Sequence, residues 1–372
     1  MHSFLTIGLM SGTSLDGTDA VAMHFSDTGM TRIGHVYHPF EPSLRAALAA
    51  LTLPGDNEIE RMGDASVELA QAYATTVEAL LTETGLKTCD VSALGVHGQT
   101  IRHRPERGFT LQLNHPARLA ELTGIDVICD FRSRDVAAGG EGAPLVPAFH
   151  AERFRGDRDR VILNLGGIAN ISVLPALGKN ETSVTDSVLG GDTGPANMLL
   201  DTWCEEKLGL PYDAEGTWAA KGTVNEALLT ALLDDPYFDR PFPKSTGREH
   251  FSPAWLHEKL RSFGTLPAAD VARTLTVLTA QTVADAVRKT APFAEELILC
   301  GGGAYNRTLR SELAARFTGK VFDTNILGVA PMEVEASAFA WLAARFLARE
   351  PGNLPAVTHA RGCRILGAFY PA

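Results

Sequence analysis

Cysteine is sparse and unpatterned in this chain. Only Cys89, Cys129, Cys204, Cys300 and Cys363 occur in 372 residues, and no CxxC pair is among them. An odd number at wide spacing argues against a disulfide framework or a thiolate zinc site, and scattered reduced thiols fit a cytoplasmic protein. Basic charge is also short: the formal net charge is −11. A nucleic-acid surface needs a basic footprint, so none is expected. No run of about 18 uninterrupted apolar residues occurs, so no membrane span is expected. The first residues, Met-His-Ser-Phe-Leu-Thr-Ile-Gly, lack the basic stretch and long apolar run of a secretory leader. GxxxxGK[ST] is missing, for Lys244-Ser245-Thr246 follows Pro-Phe-Pro rather than glycines. The protein-kinase motif set is missing too.

What is present is an ordinary globular balance, 45% hydrophobic and 21% charged, in a chain too long for one ordinary core. Two apolar runs, Phe4 to Met10 and Asp19 to Phe25, flank a Gly/Ser/Asp cluster and predict a β-hairpin. Glu58 to Thr84 has Leu69, Tyr73, Val77 and Leu80 at helical spacing, with Gly85 placed to end the helix. Val91 to Val96 and Ile125 to Cys129 read as buried strands. A second unit then begins: strand 160–165, a turn Gly166 to Asn170, and a returning strand 171–174. This repeats the opening plan roughly 155 positions later and suggests a duplicated fold. Residues 198–233 and 268–290 read as helices, 297–300 as a strand, and 306–317 and 333–349 as helices. The boundary is expected between residues 130 and 155.

Three glycine-rich turns follow three apolar strands: 11–18, 166–170 and 301–303. Such turns let backbone N–H groups approach a phosphate closely. Each taken singly is also satisfied by tight chain reversal. Together they match the plan of actin-like phosphotransferases, with two phosphate-facing hairpins and an adenosine-facing turn.

Longer runs narrow the comparison. Ile7-Gly-Leu-Met-Ser-Gly-Thr-Ser-Leu-Asp-Gly-Thr-Asp19, Gly95-Val-His-Gly-Gln-Thr-Ile-Arg-His103, Asp130-Phe-Arg-Ser-Arg-Asp135 and Gly142-Ala-Pro-Leu-Val-Pro-Ala-Phe-His150 come first. Asn164-Leu-Gly-Gly-Ile-Ala-Asn170, Asp192-Thr-Gly-Pro-Ala-Asn197, Lys244-Ser-Thr-Gly-Arg-Glu249 and Cys300-Gly-Gly-Gly-Ala-Tyr-Asn306 follow. In sequence and order these resemble the anhydro-N-acetylmuramic acid kinases, from residue 7 to the Gly367-Ala-Phe-Tyr-Pro371 tail. That family commonly has Arg where Ser133 stands and Gln where Glu141 stands.

The resemblance implies an α/β, two-domain actin-like (ribonuclease H-like) ATPase/sugar-kinase fold with a nucleotide cleft between domains. One domain is expected to be 1–134 plus 350–372, the other 135–349. The implied activity uses ATP and Mg²⁺. It opens the anhydro bridge of 1,6-anhydro-N-acetylmuramic acid with water and phosphorylates O6, giving N-acetylmuramic acid 6-phosphate and ADP in peptidoglycan recycling. A cytoplasmic homodimer is implied as well.

Residue roles follow from the same resemblance. Gly12, Thr13, Ser14, Leu15, Asp16, Gly17, Thr18 and Asp19 are implied to hold ATP phosphates, or else Asp16-Gly17 forms only a hairpin turn. Gly166, Gly167 and Asn170 belong to the second phosphate turn. Gly301, Gly302 and Gly303 face adenosine, or mark a crowded strand–helix crossing. Asp192, just before a Thr-Gly-Pro read as the turn leading into a helix, is the implied general base, or a helix cap. Glu335 contacts the sugar, or is a helix N-terminal acid. His97 and Gln99 hydrogen-bond the sugar, or are satisfied core groups. Arg132 and Arg134 meet the lactyl carboxylate, or pair with Asp130 and Asp135, which is the simpler arrangement. A kinase for another amino sugar and a non-metabolic actin-like ATPase module remain alternatives.

Overall fold

The structure, a computed structural model, describes residues 3–12, 14–178, 187–247 and 250–372. The chain forms two compact units. The first comprises Met1–Arg153 with Glu333–Ala372, the second Phe154–Met332.

The first unit opens with β1 (Phe4–Met10), β2 (Gly17–Ser26) and β3 (Gly29–Pro39), an antiparallel meander. β4 (Ala93–Val96) lies parallel to β1. β5 (Gln99–Arg104) and β6 (Phe109–Leu113) form a separate hairpin. β7 (Val127–Cys129) extends the sheet parallel to β4, and β13 (Ala368–Tyr370) closes it antiparallel to β7. The order is β13-β7-β4-β1-β2-β3.

One face of this sheet is covered by helix Glu58–Thr84, which buries Leu69, Tyr73, Val77 and Leu80 and ends on Gly85 at φ 71°. Helix Val334–Leu347 covers the other face. It lies so close that a Cβ on Gly8 would stand 1.8 Å from Ala336 O, and one on Gly95 2.1 Å from Phe339 O. Only residues without side chains permit that approach.

The second unit repeats the plan. β8 (Arg160–Leu165), β9 (Ile168–Leu174) and β10 (Leu189–Pro195) form the antiparallel meander. β11 (Glu296–Cys300) runs parallel to β8 and β12 (Lys320–Asp323) parallel to β11. The order β10-β9-β8-β11-β12 reproduces β3-β2-β1-β4-β7. Two copies of a three-strand meander followed by two parallel strands constitute the ribonuclease H-like, actin-type architecture. Helix Ala268–Thr290 packs on the second sheet through Ala280, Val283 and Val287. A further core gathers Trp203, Tyr237 and Phe251 with Leu256.

Three expectations are corrected. The first unit boundary, at 153/154, falls within the expected 130–155 window but later than 134/135; the second falls at 332/333 rather than 349/350, because helix Val334–Leu347 packs against β1, β2 and β4. The stretch 198–233 is two helices, Asn197–Leu208 and Glu226–Leu233, since Gly209 ends the first in the left-handed region. The turn 166–170 is shorter, for β9 already begins at Ile168. Among the described residues no helix is long and apolar enough to cross a membrane.

Candidate active site

In the first unit the β1–β2 turn spans Ser11 to Asp16, while Gly17, Thr18 and Asp19 already belong to β2. Thr13 lies outside the described residues. The turn is held from below. Ser11 Oγ sits 2.7 Å from the hydroxyl of fully buried Tyr73 and donates to Gly98 O at 3.4 Å. Gln99 Nε2 donates to Gly12 O at 3.2 Å. Leu15 stands at φ 58° with its N–H on Gly12 O and its side chain in the core. It therefore has only its backbone to offer a ligand. Ser14 Oγ donates to Asp16 Oδ1 at 2.6 Å. Asp19 bonds His35 Nε2 at 2.7 Å. Burial raises the Asp19 pKa from its ordinary value, and His35 opposes that rise.

His97 follows β4, and its Nε2 accepts from Arg132 Nη2 at 2.9 Å and Nε at 3.3 Å. Burial, then the Arg132 charge, pushes the His97 pKa down to about 3, so the imidazole is neutral at neutral pH. Arg132 Nη1 donates to Gly142 O at 2.8 Å. Burial lowers the Arg132 pKa to about 10, against the charges of Glu335 and Asp135. The fold thus gathers His97, Arg132 and Glu335.

The expected pairing of Arg132 with Asp130 and Asp135 is corrected. Asp130 accepts instead from Ser133 Oγ at 2.5 Å. Asp135 accepts from Gly142 N, Asn353 Nδ2 and Thr358 Oγ1. Three uncharged donors occupy that buried carboxylate, so Asp135 acts on Arg132 through its charge alone, and the guanidinium's hydrogen bonds go to the neutral imidazole and a carbonyl.

In the second unit Asp192 lies inside β10 at a bulge between Asp192 and Gly194, and the Thr-Gly-Pro after it, expected as a turn, completes the strand. Asp192 is not a helix cap, because Ala196 caps helix Asn197–Leu208 without a side-chain bond. Its backbone N–H donates to Lys244 O at 2.8 Å, and its carbonyl accepts from Tyr237 Oη at 2.9 Å. Its Oδ2 accepts from Thr246 N at 2.9 Å and Ser245 Oγ at 3.2 Å. The Lys244-Ser-Thr-Gly run has no role evident in the sequence; the structure turns it against Asp192. Arg248 and Glu249 of that motif lie outside the described residues. Lys244 Nζ donates to Tyr237 O at 2.8 Å, and burial lowers its pKa to about 8.

Strand register aligns Asp192 with Asn170, Asn170 with Asn164, and Asn164 with Cys300. This row ends at the triple-glycine turn. A Cβ on Gly301 (φ 75°) would meet Asn164 Oδ1 at 2.5 Å, and one on Gly303 would meet Leu165 Cβ at 2.7 Å. Those two glycines mark a crowded crossing. Gly302 is different: its added Cβ would come no nearer than 3.7 Å, to Met332 Sδ. Gly166 O and Gly167 O accept from the start of helix Asn197–Leu208, at Asn197 N and Met198 N.

The sequence profile of the family described as anhydro-N-acetylmuramic acid kinase matches residues 4–372. The chain belongs to this family. Among its relatives, the anhydro-N-acetylmuramic acid kinase of Burkholderia cenocepacia is 54% identical, over 98% of this chain and 95% of that protein. That of Burkholderia thailandensis is 52% identical, over 98% and 97%. Component A of (R)-2-hydroxyglutaryl-CoA dehydratase from Acidaminococcus fermentans aligns over 93% of this chain and 99% of that one, at 11% identity and a TM-score of 0.48, too slight a likeness to bear on function. Both departures from the family pattern have local partners. Ser133 holds Asp130, and the Glu141 carboxylate lies 3.1 Å from His359 Nδ1.

Proposed function

We propose that this member of the family is a kinase that uses ATP to convert 1,6-anhydro-N-acetylmuramic acid into N-acetylmuramic acid 6-phosphate and ADP. The supporting observation is the Asp192 carboxylate, fixed at a strand bulge by Thr246 N and Ser245 Oγ. A carboxylate whose rotamer is set by other groups is suited to act as a general base. The substrate's O6 is locked in an internal ether and carries no proton. Asp192 therefore takes a proton from a water that attacks C1. The C1–O6 bond breaks, and the released O6 attacks the γ-phosphorus of ATP as the bond to ADP breaks.

Gly12, Thr13, Ser14, Asp16, Gly17, Thr18 and Asp19 are assigned to the phosphates, with Leu15 through its backbone, and Gly166, Gly167 and Asn170 to the second phosphate turn. Gly301, Gly302 and Gly303 are assigned to adenosine, with Gly302 as the point of close approach. His97, Gln99 and Glu335 are assigned to the sugar; His97 orients Arg132, which becomes the cationic partner for the lactyl carboxylate.

Among the described residues no group of three His, Cys, Asp or Glu is placed to hold a metal. Magnesium keeps its waters and substrate phosphates and takes few protein carboxylates, so it needs no such group. Asp16 and Asp19 are the carboxylates at the turn that would hold it, and it would neutralise charge on the phosphates. We further propose a cytoplasmic homodimer, which light scattering of the purified protein tests.

The deciding experiment is turnover of the anhydro sugar with MgATP in H₂¹⁸O, followed by mass spectrometry. Sugar phosphate carrying ¹⁸O at C1 is expected. Unlabelled product, or phosphorylation of a free hexose alone, would overturn the water-opening route. Asp192→Asn is expected to lose about 10²-fold or more in kcat with its urea unfolding midpoint retained.

A further inference from the structure

Beside the phosphate turn lies a polar chain of which the roles above use only the first member, Asp19. It begins at Asp19, whose Oδ1 is 2.7 Å from His35 Nε2. On its other side, His35 Nδ1 is 3.5 Å from Glu333 Oε1. Glu333 is in turn gripped by Arg32, through Nε at 2.5 Å and Nη2 at 2.7 Å. Glu333 is only 6% exposed at its side chain, so both of its oxygens are committed inside the protein.

The placement depends on the strand geometry. Asp19 pairs with Tyr37 and Val21 with His35, so Asp19 and His35 are diagonal neighbours on one face of the sheet. Simple alternation would put Arg32, three residues before His35, on the opposite face. The ladder instead slips between Ala22 and Met23: Ala22 pairs with Gly34, but Met23 pairs with Arg32. Ile33 is the extra residue of a bulge, and the bulge returns Arg32 to the face of His35 and Asp19. That face is the one covered by helix Val334–Leu347, because Val21 pairs with Gly8, against which the helix lies. Glu333 immediately precedes the helix, and Glu335 stands in its first turn.

We infer that His35, held by Glu333 and Arg32, is a positioning residue for Asp19. It fixes the Asp19 carboxylate in one setting at the phosphate turn and ties that setting to the helix start that carries Glu335. The inference rests on the reading of residues 12–19 as the phosphate turn. Supported charge-assisted hydrogen bonds of this kind hold a carboxylate in one rotamer. His35 touches no substrate in this account and acts through Asp19 alone.

The test is steady-state kinetics with MgATP and 1,6-anhydro-N-acetylmuramic acid on four variants: His35→Leu, His35→Gln, Asp19→Asn and Asp19→Asn/His35→Leu. Thermal unfolding checks each fold. His35→Leu is expected to raise KM for MgATP about tenfold, the loss of one charge-assisted bond, with the sugar KM within about twofold. His35→Gln keeps a donor near the Nε2 position and is expected within about threefold of the parent. The double variant is expected to be no worse than Asp19→Asn. Should His35→Leu fail to fold, Arg32→Met, at the more exposed end of the chain, is expected to raise KM for MgATP in the same sense.

An unchanged KM for MgATP in His35→Leu, beside an impaired Asp19→Asn, overturns the positioning role and leaves the phosphate turn standing. Additive losses in the double variant overturn it too. An unimpaired Asp19→Asn removes the phosphate-turn reading and the inference together.

Discussion

At the scale of single residues, burial sets the charge of two histidines. His97 and His150 are both buried, and burial holds each pKa down at about 3. An unfolded histidine takes up its proton near pH 6.5. Between pH 6.5 and 3 the unfolded chain therefore binds more protons than the folded one, and stability falls as the solution is acidified. At pH 5 the cost is about 2 kcal/mol for each histidine. Urea unfolding at pH 7 and pH 5 checks this: His150→Gln is expected to remove about half of the difference, the His97 share remaining, whereas a surface substitution such as His24→Gln is expected to leave it unchanged. Asp192 stands out as a candidate in the sequence because an acid beside Thr-Gly-Pro lies in a motif shared with a known family, where the resemblance implies a general base. The grip on it was not legible. Thr246 contributes a backbone N–H from 54 positions away, and any residue type supplies one. Arg132 shows the same limit from the other side. Its two nearest acids in sequence are occupied by uncharged donors, and only the fold brings His97 to it.

At the scale of elements, glycines separate contacts that are structural from contacts that are open. Ala at Gly8 or Gly95 would drive a Cβ into the backbone of helix Val334–Leu347, and is expected to destabilise by about 3 kcal/mol or more. Ala at Gly302 meets nothing closer than 3.7 Å. It is expected to leave the unfolding midpoint nearly unchanged while raising KM for ATP. Paired urea titration and kinetics distinguish the two outcomes. The strongly periodic elements were readable: Glu58–Thr84 and Ala268–Thr290 match their expected spans. β10 was not, because Leu-Gly-Gly-Asp-Thr-Gly-Pro is turn chemistry locally. Pairing with β9 along six residues of register overrides that local preference. β3 is hidden in the sequence for a related reason. Its bulge breaks the alternation by which a strand announces itself.

At the scale of the whole molecule, the duplicated plan was visible as a repeated strand–glycine turn–strand motif, and the strand orders of the two sheets agree with it. The boundaries were less visible, since the covering helix of the first unit lies beyond the entire second unit in sequence. Residues 154–332 contain complete cores of their own. Expressed alone, they are expected to give a cooperative urea transition. Residues 1–153 alone lack helix Val334–Leu347 and β13. They are expected to bind a hydrophobic dye and to lack such a transition, and adding residues 333–372 as a separate peptide is expected to restore order. The inserted arrangement also sets a timetable on the ribosome. The β1–β2 turn is translated before the whole second unit, yet the sheet beneath it stays uncovered on one face until Glu333 and its helix emerge. The second unit can finish folding before the first can begin to close. Nascent chains stalled just before residue 333 should therefore be the form of this protein most dependent on chaperones.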